Sequence, residues 1–265
     1  MADRSLWRRF LALPNDSRAK ALGVAFLVAL VCAASVSVTS VLLKPRQQAH
    51  LVAAREANLA AMVAALPGLD EILRASGARS LQTVLVDLRT GTIERGADAA
   101  AFDYIAAQTD PAQSTALPPE ADTAGIGRLP NRAPVYLLRG TEGLALVVLP
   151  IYGTGYQSTI RAFLALEGDL NTVAALTIHE QGETPGIGTR ITNPEWMGLW
   201  AGRQVANAEG EVVIRVVRGA AASAFEVDGI TGATRSTTGV SNLVGFWLGP
   251  QGFGPFLARL KAGEE

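Results

Sequence analysis

An uncharged apolar run, "ALGVAFLVALVCAASVSVTSVLL" at residues 21–43, most limits what this chain can fold into. It is 23 residues long. As a helix it would reach about 34 Å, enough to cross a hydrocarbon core of roughly 30 Å. A secretory signal core is shorter, about 7–15 residues. The cleaved-signal alternative rests on "CAAS" at 32–35, a small-residue site or weak lipobox behind "VALVC". The expectation is an uncleaved transmembrane helix.

The flanking bases orient it. Arg4, Arg8, Arg9, Arg18 and Lys20 precede the run, and Lys44, Arg46 and Arg55 follow it. The excess lies on the N-terminal side, which places residues 1–20 in the cytoplasm and the rest of the chain outside. For a bacterium this means a single-pass protein of the inner membrane with a periplasmic domain. "SLWRRFLAL" at 5–13 reads as an interfacial segment or as a solvated basic tail.

The 222 residues after the run are enough for one large domain. At 49% hydrophobic and 18% charged residues, the chain is too apolar to be disordered. A net charge of −1 gives nucleic-acid binding no electrostatic support. The single cysteine, Cys32, lies in the apolar run, which excludes internal disulfides, Cys-rich zinc sites and an iron–sulfur cluster held by this chain alone.

Residues 44–130 read as a helical and irregular linker merging into the external domain. The Ala- and Leu-rich stretch 46–66 is expected to be helical and to stop at Pro67-Gly68. "LQTVLVDLRTGTI" at 81–93 reads as a hairpin about a Thr-Gly turn, and 98–130 as irregular. Residues 131–265 form the expected core. A second hairpin spans 134–151. Two antiparallel strands, expected at the sheet's centre, flank "EGDLN" within 158–180, and 211–217 is a further strand. Asn193 as N-cap and Pro194 at N1 start a short helix. Val240, Leu243, Val244, Trp247 and Leu248 give one apolar helix face. The fold class is α+β: an antiparallel sheet with helices.

Two stretches exceed what packing requires. "DGITGATRSTTGV" at 228–240 holds four threonines, one serine and three glycines at the mouth of the last of these helices. A single hydroxyl would cap a helix; this excess suits either a generous cap or a phosphate approaching orphan N–H groups. "HEQGETPGIGTR" at 179–190 follows a strand and is a tight polar loop, a simple turn or a ligand contact. Position 183 is Glu, so the His-Glu-x-x-His zinc motif fails, and Ile191 breaks a dinucleotide fingerprint after Gly186 and Gly188. No Walker A sequence exists. A hydrolase triad using His179, Asp228 and a serine has no G-x-S-x-G elbow.

Together and in this order, the two stretches resemble the FMN-binding domain of membrane redox pumps, most nearly the NqrC family of the Na⁺-translocating NADH:quinone oxidoreductases. "TGAT" behind Asp228, the "GETPGIG" loop and the tail "FWLGPQGFGPFL" at 246–257 carry the resemblance, which is convincing from 151 to 257 and vague from 47 to 150. Thr231 stands where Ser is common, Ile187 where Leu is usual, and Tyr156 where many relatives have Trp.

The resemblance implies FMN held covalently through a phosphoester to Thr234. A separate flavin transferase would attach it from FAD with magnesium. It implies contacts from Glu183 and Thr184, close backbone approach at Gly186 and Gly188, and a loop of Asp228, Thr231, Gly232 and Ala233. Ser236 and Thr237 would receive the phosphate. The implied role is an electron carrier in a membrane complex of six subunits, between an iron–sulfur centre and another flavoprotein of the complex, with NADH, quinone and sodium left to partners. The alternatives are a G-type subunit of an Rnf complex and a non-redox, membrane-anchored protein that binds a phosphate-bearing ligand reversibly.

Overall fold

The structure, a computed structural model, describes residues 81–97, 99, 102–141 and 143–264, with Pro14, Ser17, Arg18, 20–35 and Ser37 near the N-terminus. The expected helix at 46–66 and the basic segment at 5–13 lie outside the described residues. The chain divides into two compact units, Met1–Asn58 and Leu59–Glu265.

In the first unit, residues 20–35 are α-helical. The apolar side chains of Leu22, Val24, Phe26, Val28, Leu30 and Val31 are all exposed. Among the described residues, no helix is long and apolar enough to cross a membrane. The described helix covers 21–35 of the expected 21–43 run; most of the remainder lies outside the described residues.

The second unit is built on a six-stranded antiparallel sheet. Its strands are β1 (Leu81–Asp87), β2 (Thr92–Ile93), β5 (Arg132–Gly140), β6 (Gly143–Thr154), β7 (Thr159–Glu167) and β8 (Val173–Glu180), in the order β2-β1-β5-β6-β7-β8. The three expected antiparallel pairs are present as β1–β2, β5–β6 and β7–β8. One expectation is corrected: β7 and β8 are not the central pair, because β8 is the sheet's edge. Sequence shows how apolar a strand is, not its rank across a sheet. The most deeply buried strand is β6, with Leu146–Gly153 buried without a break, as a strand covered on both faces must be.

The stretch 98–130 is more regular than expected. It holds helix α1 (Tyr104–Thr109), N-capped by Asp103, and the hairpin of β3 (Ser114–Ala116) with β4 (Arg128–Pro130). These elements are too short for periodicity to reveal. The expected strand at 211–217 shrinks to β9 (Arg215–Val217), which pairs in parallel with β10 (Glu226–Asp228). Helix α2 (Pro194–Gly198) starts as expected, the Asn193 side chain accepting from the Glu195 N–H.

Helix α3 (Thr234–Leu248) is the organising helix, and α4 (Gly254–Lys261) follows it. All five side chains of its expected apolar face are buried. Fully burying residues of this size is worth roughly 1.5–3 kcal/mol each. Two glycines set how close α3 lies to β6. A Cβ on Gly153 would stand 2.8 Å from Leu243 Cβ. One on Gly239 would stand 2.9 Å from Gly155 Cα. The second turn of α3, at Gly239, therefore rests directly on the β6–β7 turn.

Candidate functional site

Three segments converge where α3 begins: the β6–β7 turn at 155–158, the loop after β8 at 181–190, and residues 228–237. The knot between them is Glu183. Its carboxylate is buried at 3% exposure and accepts from the backbone N–H groups of Tyr156 (3.1 Å), Gln157 (3.1 Å) and Ser158 (3.3 Å). It also accepts from Ser236 Oγ at 2.5 Å, a length typical of a hydroxyl on a charged carboxylate. Burial by itself would raise the pKa of this carboxyl. The Ser236 hydroxyl and the three amides outweigh it and hold the group below its ordinary range.

In this geometry three of the expected residues spend their side chains on protein partners. Glu183, expected to touch a ligand, turns its side chain inward and uses it on protein donors. Ser236, expected to receive a phosphate, is 3% exposed and committed to Glu183. Thr237, equally buried, turns its hydroxyl back to the carbonyls of Ala233 and Thr234. The reading of the hydroxyl cluster as caps is corrected: the N-cap of α3 is Ala233, and no side chain caps the helix.

Gly188, expected to admit a ligand, serves packing: a Cβ there would stand 2.8 Å from Glu183 Cβ and 2.9 Å from Ser236 Oγ. Gly186 and Gly232 are different. Both hold left-handed backbone, φ 74° and 86°, with open space beside them. Thr184 supports the loop through its carbonyl, which accepts from the N–H groups of Ile187 and Thr189.

Thr234 is exposed at the first helical position, beside exposed Thr231 and Gly232. Asp228 faces another way. Its Oδ1 accepts from Ala221 N–H at 2.7 Å, and its carbonyl from Trp196 Nε1 at 2.8 Å, so it braces the loop leading to Thr231. Arg190 donates to the Thr231 carbonyl at 3.1 Å and ties the two sequence motifs together.

Around this point lie features that motif reading left without a role. Tyr156 and Ile187 are the exposed large hydrophobic residues of this unit among those described, at 48% and 51%. Arg235, the residue after Thr234, sets its guanidinium 4.8 Å from the centroid of the Tyr156 ring. Such a contact is worth about 0.5–1 kcal/mol at an exposed site. A cation in the first turn of a helix opposes the macrodipole by a similar amount. The first turn of α3 contains no acidic residue. The adjacency of Arg235 to Thr234 was visible in sequence; its seat on Tyr156 depends on the β6–β7 turn being folded against α3.

An exposed hydroxyl at an uncapped helix start, two open left-handed glycines, two arginines and two exposed apolar side chains suit an anion attached to a flat apolar group. The donors fit a phosphate and the apolar pair a ring, so the residues present are compatible with FMN.

Residues 155–249 match the FMN-binding domain family. The chain is 40% identical to the C-type subunit of the Na(+)-translocating NADH-quinone reductase of Vibrio alginolyticus, over 96% of this chain and 99% of that one. It is 38% identical to the corresponding Pseudomonas aeruginosa protein, over 94% and 98%. The crystal structure of the Shewanella oneidensis protein NqrC superposes with a TM-score of 0.65 at 35% identity, covering 73% of this chain and 88% of that one. Identity at this level over nearly the whole length extends to residues 47–150, where the motifs were vague. The chain belongs to the NqrC family of the Na(+)-translocating NADH-quinone reductases, and is thus one subunit of an oxidoreductase complex.

Proposed function

We propose that Thr234 carries FMN through a phosphoester on its Oγ1, and that the chain relays electrons within a membrane complex of six subunits, between an iron–sulfur centre and another flavoprotein of the complex. The observation that carries this reading is the exposure of Thr234 at the uncapped start of α3. The other two hydroxyls of its helical turn, Ser236 and Thr237, are buried and bonded to protein acceptors.

Among the described residues, no base is hydrogen-bonded to the Thr234 hydroxyl. A threonine hydroxyl is a weak nucleophile without one, and the nearby carboxylate of Glu183 is occupied by Ser236 and three amides. A separate flavin transferase would therefore supply the base and magnesium. The Thr234 Oγ1–phosphorus bond forms as the pyrophosphate of FAD breaks, and AMP leaves. Exposed Gly232 and Thr231 leave room for that enzyme. The bound flavin would supply one- or two-electron redox chemistry.

The protein's part is placement. Orphan N–H groups at the start of α3 face the phosphate. Tyr156 and Ile187 offer apolar surface to the ring. Asp228 and Arg190 hold the loop in register. The exposed apolar helix at 20–35 and the uncharged run through residue 43 support a single membrane anchor, with the N-terminus cytoplasmic and the domain periplasmic.

Intact mass of the full chain co-expressed with a flavin transferase tests the attachment. The expected result is a gain of FMN less water and flavin fluorescence in a denaturing gel, both lost in Thr234→Ala. Flavin retained by that variant would overturn the assignment.

A further inference from the structure

Arg235 is anomalous for its position. It is a cation in the first turn of α3, where the helix dipole opposes it. Among the described residues no carboxylate pairs with it, and its one charge or ring contact is the face of Tyr156, 4.8 Å away. Arg190, the other cation of the site, is engaged with the Thr231 carbonyl. Glu183, the carboxylate beneath Tyr156, is buried and satisfied by other donors. Arg235 is therefore a positive charge with no carboxylate partner among the described residues, held in place by an exposed aromatic ring and one residue from the proposed attachment point.

We propose that Arg235 is the charge that sets the electron affinity of the flavin, with Tyr156 as its seat. The inference rests on the attachment of FMN at Thr234. Reduction by a redox partner takes up two electrons and one proton, and converts neutral oxidised isoalloxazine into an anionic reduced ring. A fixed guanidinium close to that ring favours the anionic product over the neutral reactant. Tyr156 contributes by holding the guanidinium in one place, so that solvent screens it less than it would a free side chain. Arg235 acts as an electrostatic positioning residue, and no bond forms to it.

The test is a spectroscopic redox titration of full-length protein carrying its flavin, comparing wild type with Arg235→Leu and Arg235→Lys, each first checked for the FMN adduct by intact mass. Arg235→Leu should lower the reduced-to-oxidised ratio at fixed potential about tenfold, a shift of about 30 mV for a two-electron couple. Arg235→Lys should recover most of it, and the difference should shrink as salt is raised. Tyr156→Leu should give a smaller shift of the same sign. An Arg235→Leu protein that carries FMN and keeps the wild-type potential overturns the proposal. So does loss of the adduct from both Arg235 variants, which would assign Arg235 to attachment. A wild-type chain without an adduct is a separate failure, that of the attachment at Thr234.

Discussion

Ser236 donates to Glu183 across 2.5 Å, between two side chains that are each 3% exposed. One carboxylate thus joins the start of α3 to the turn that carries Tyr156, and the spacing between Thr234 and the apolar surface depends on it. Removing Glu183 orphans three backbone donors and the hydroxyls of Ser158 and Ser236. Each stranded group costs about 1–3 kcal/mol, offset in part by water entering the gap. Glu183→Ala should therefore lose on the order of 3 kcal/mol, and Ser236→Ala about 1 kcal/mol, because only one acceptor site is vacated. Denaturant melts of the two variants check this; equal losses would show that the amides, and not the hydroxyl alone, have found other partners.

The same carboxylate makes stability depend on pH. Burial pushes its pKa up, but the Ser236 hydroxyl and the amides of Gln157, Tyr156 and Ser158 pull it further down. The folded value lies below the unfolded value of about 4.3. The group's contribution is then fully present above the unfolded value and is lost as pH falls through the folded value. Wild type should lose more stability than Glu183→Gln on acidification from neutrality to about pH 3. Parallel curves would mean that other carboxylates account for the acid sensitivity.

Gly186 and Gly188 should respond differently to alanine although they are two residues apart. At Gly188 a Cβ would press on Glu183 Cβ and Ser236 Oγ, at 2.8 and 2.9 Å. Gly188→Ala should cost about 1–3 kcal/mol and disturb the knot itself. Gly186 has open space and φ 74°, so Gly186→Ala should cost only about 1–2 kcal/mol of local backbone strain. Amide exchange at Tyr156 to Ser158 separates the two, rising in the first variant and unchanged in the second.

Leu243 is fully buried on α3, with its Cβ against Gly153 of β6. Leu243→Ala should cost about 2–5 kcal/mol. Its intact-mass adduct at low temperature should match wild type, because the substitution leaves the start of the helix in place. Loss of the adduct from soluble, folded protein would show that packing along α3 reaches Thr234.

The hairpins and the core face of α3 were readable because each has a strong local period: alternating apolar residues on either side of a short turn, or the 3.6-residue spacing from Val240 to Leu248. α1 and the β3–β4 pair were missed because elements of three to six residues carry too little of either period. The edge position of β8 was missed because strand order is set by which faces find cover.

The sequence by itself determined the pair of motifs, the small residues around Thr234, the lack of internal disulfide or iron–sulfur chemistry, and a long uncharged run before the domain. What the hydroxyls and the glutamate do was decided only by tertiary structure. Side chains alike in sequence part company once α3 meets the β6–β7 turn. Thr234 stays at the surface, while Ser236 and Thr237 go inside. Glu183 becomes a buried acceptor because a charged carboxylate can leave water only where enough donors meet it. Those donors come from segments 25 to 53 residues away along the chain.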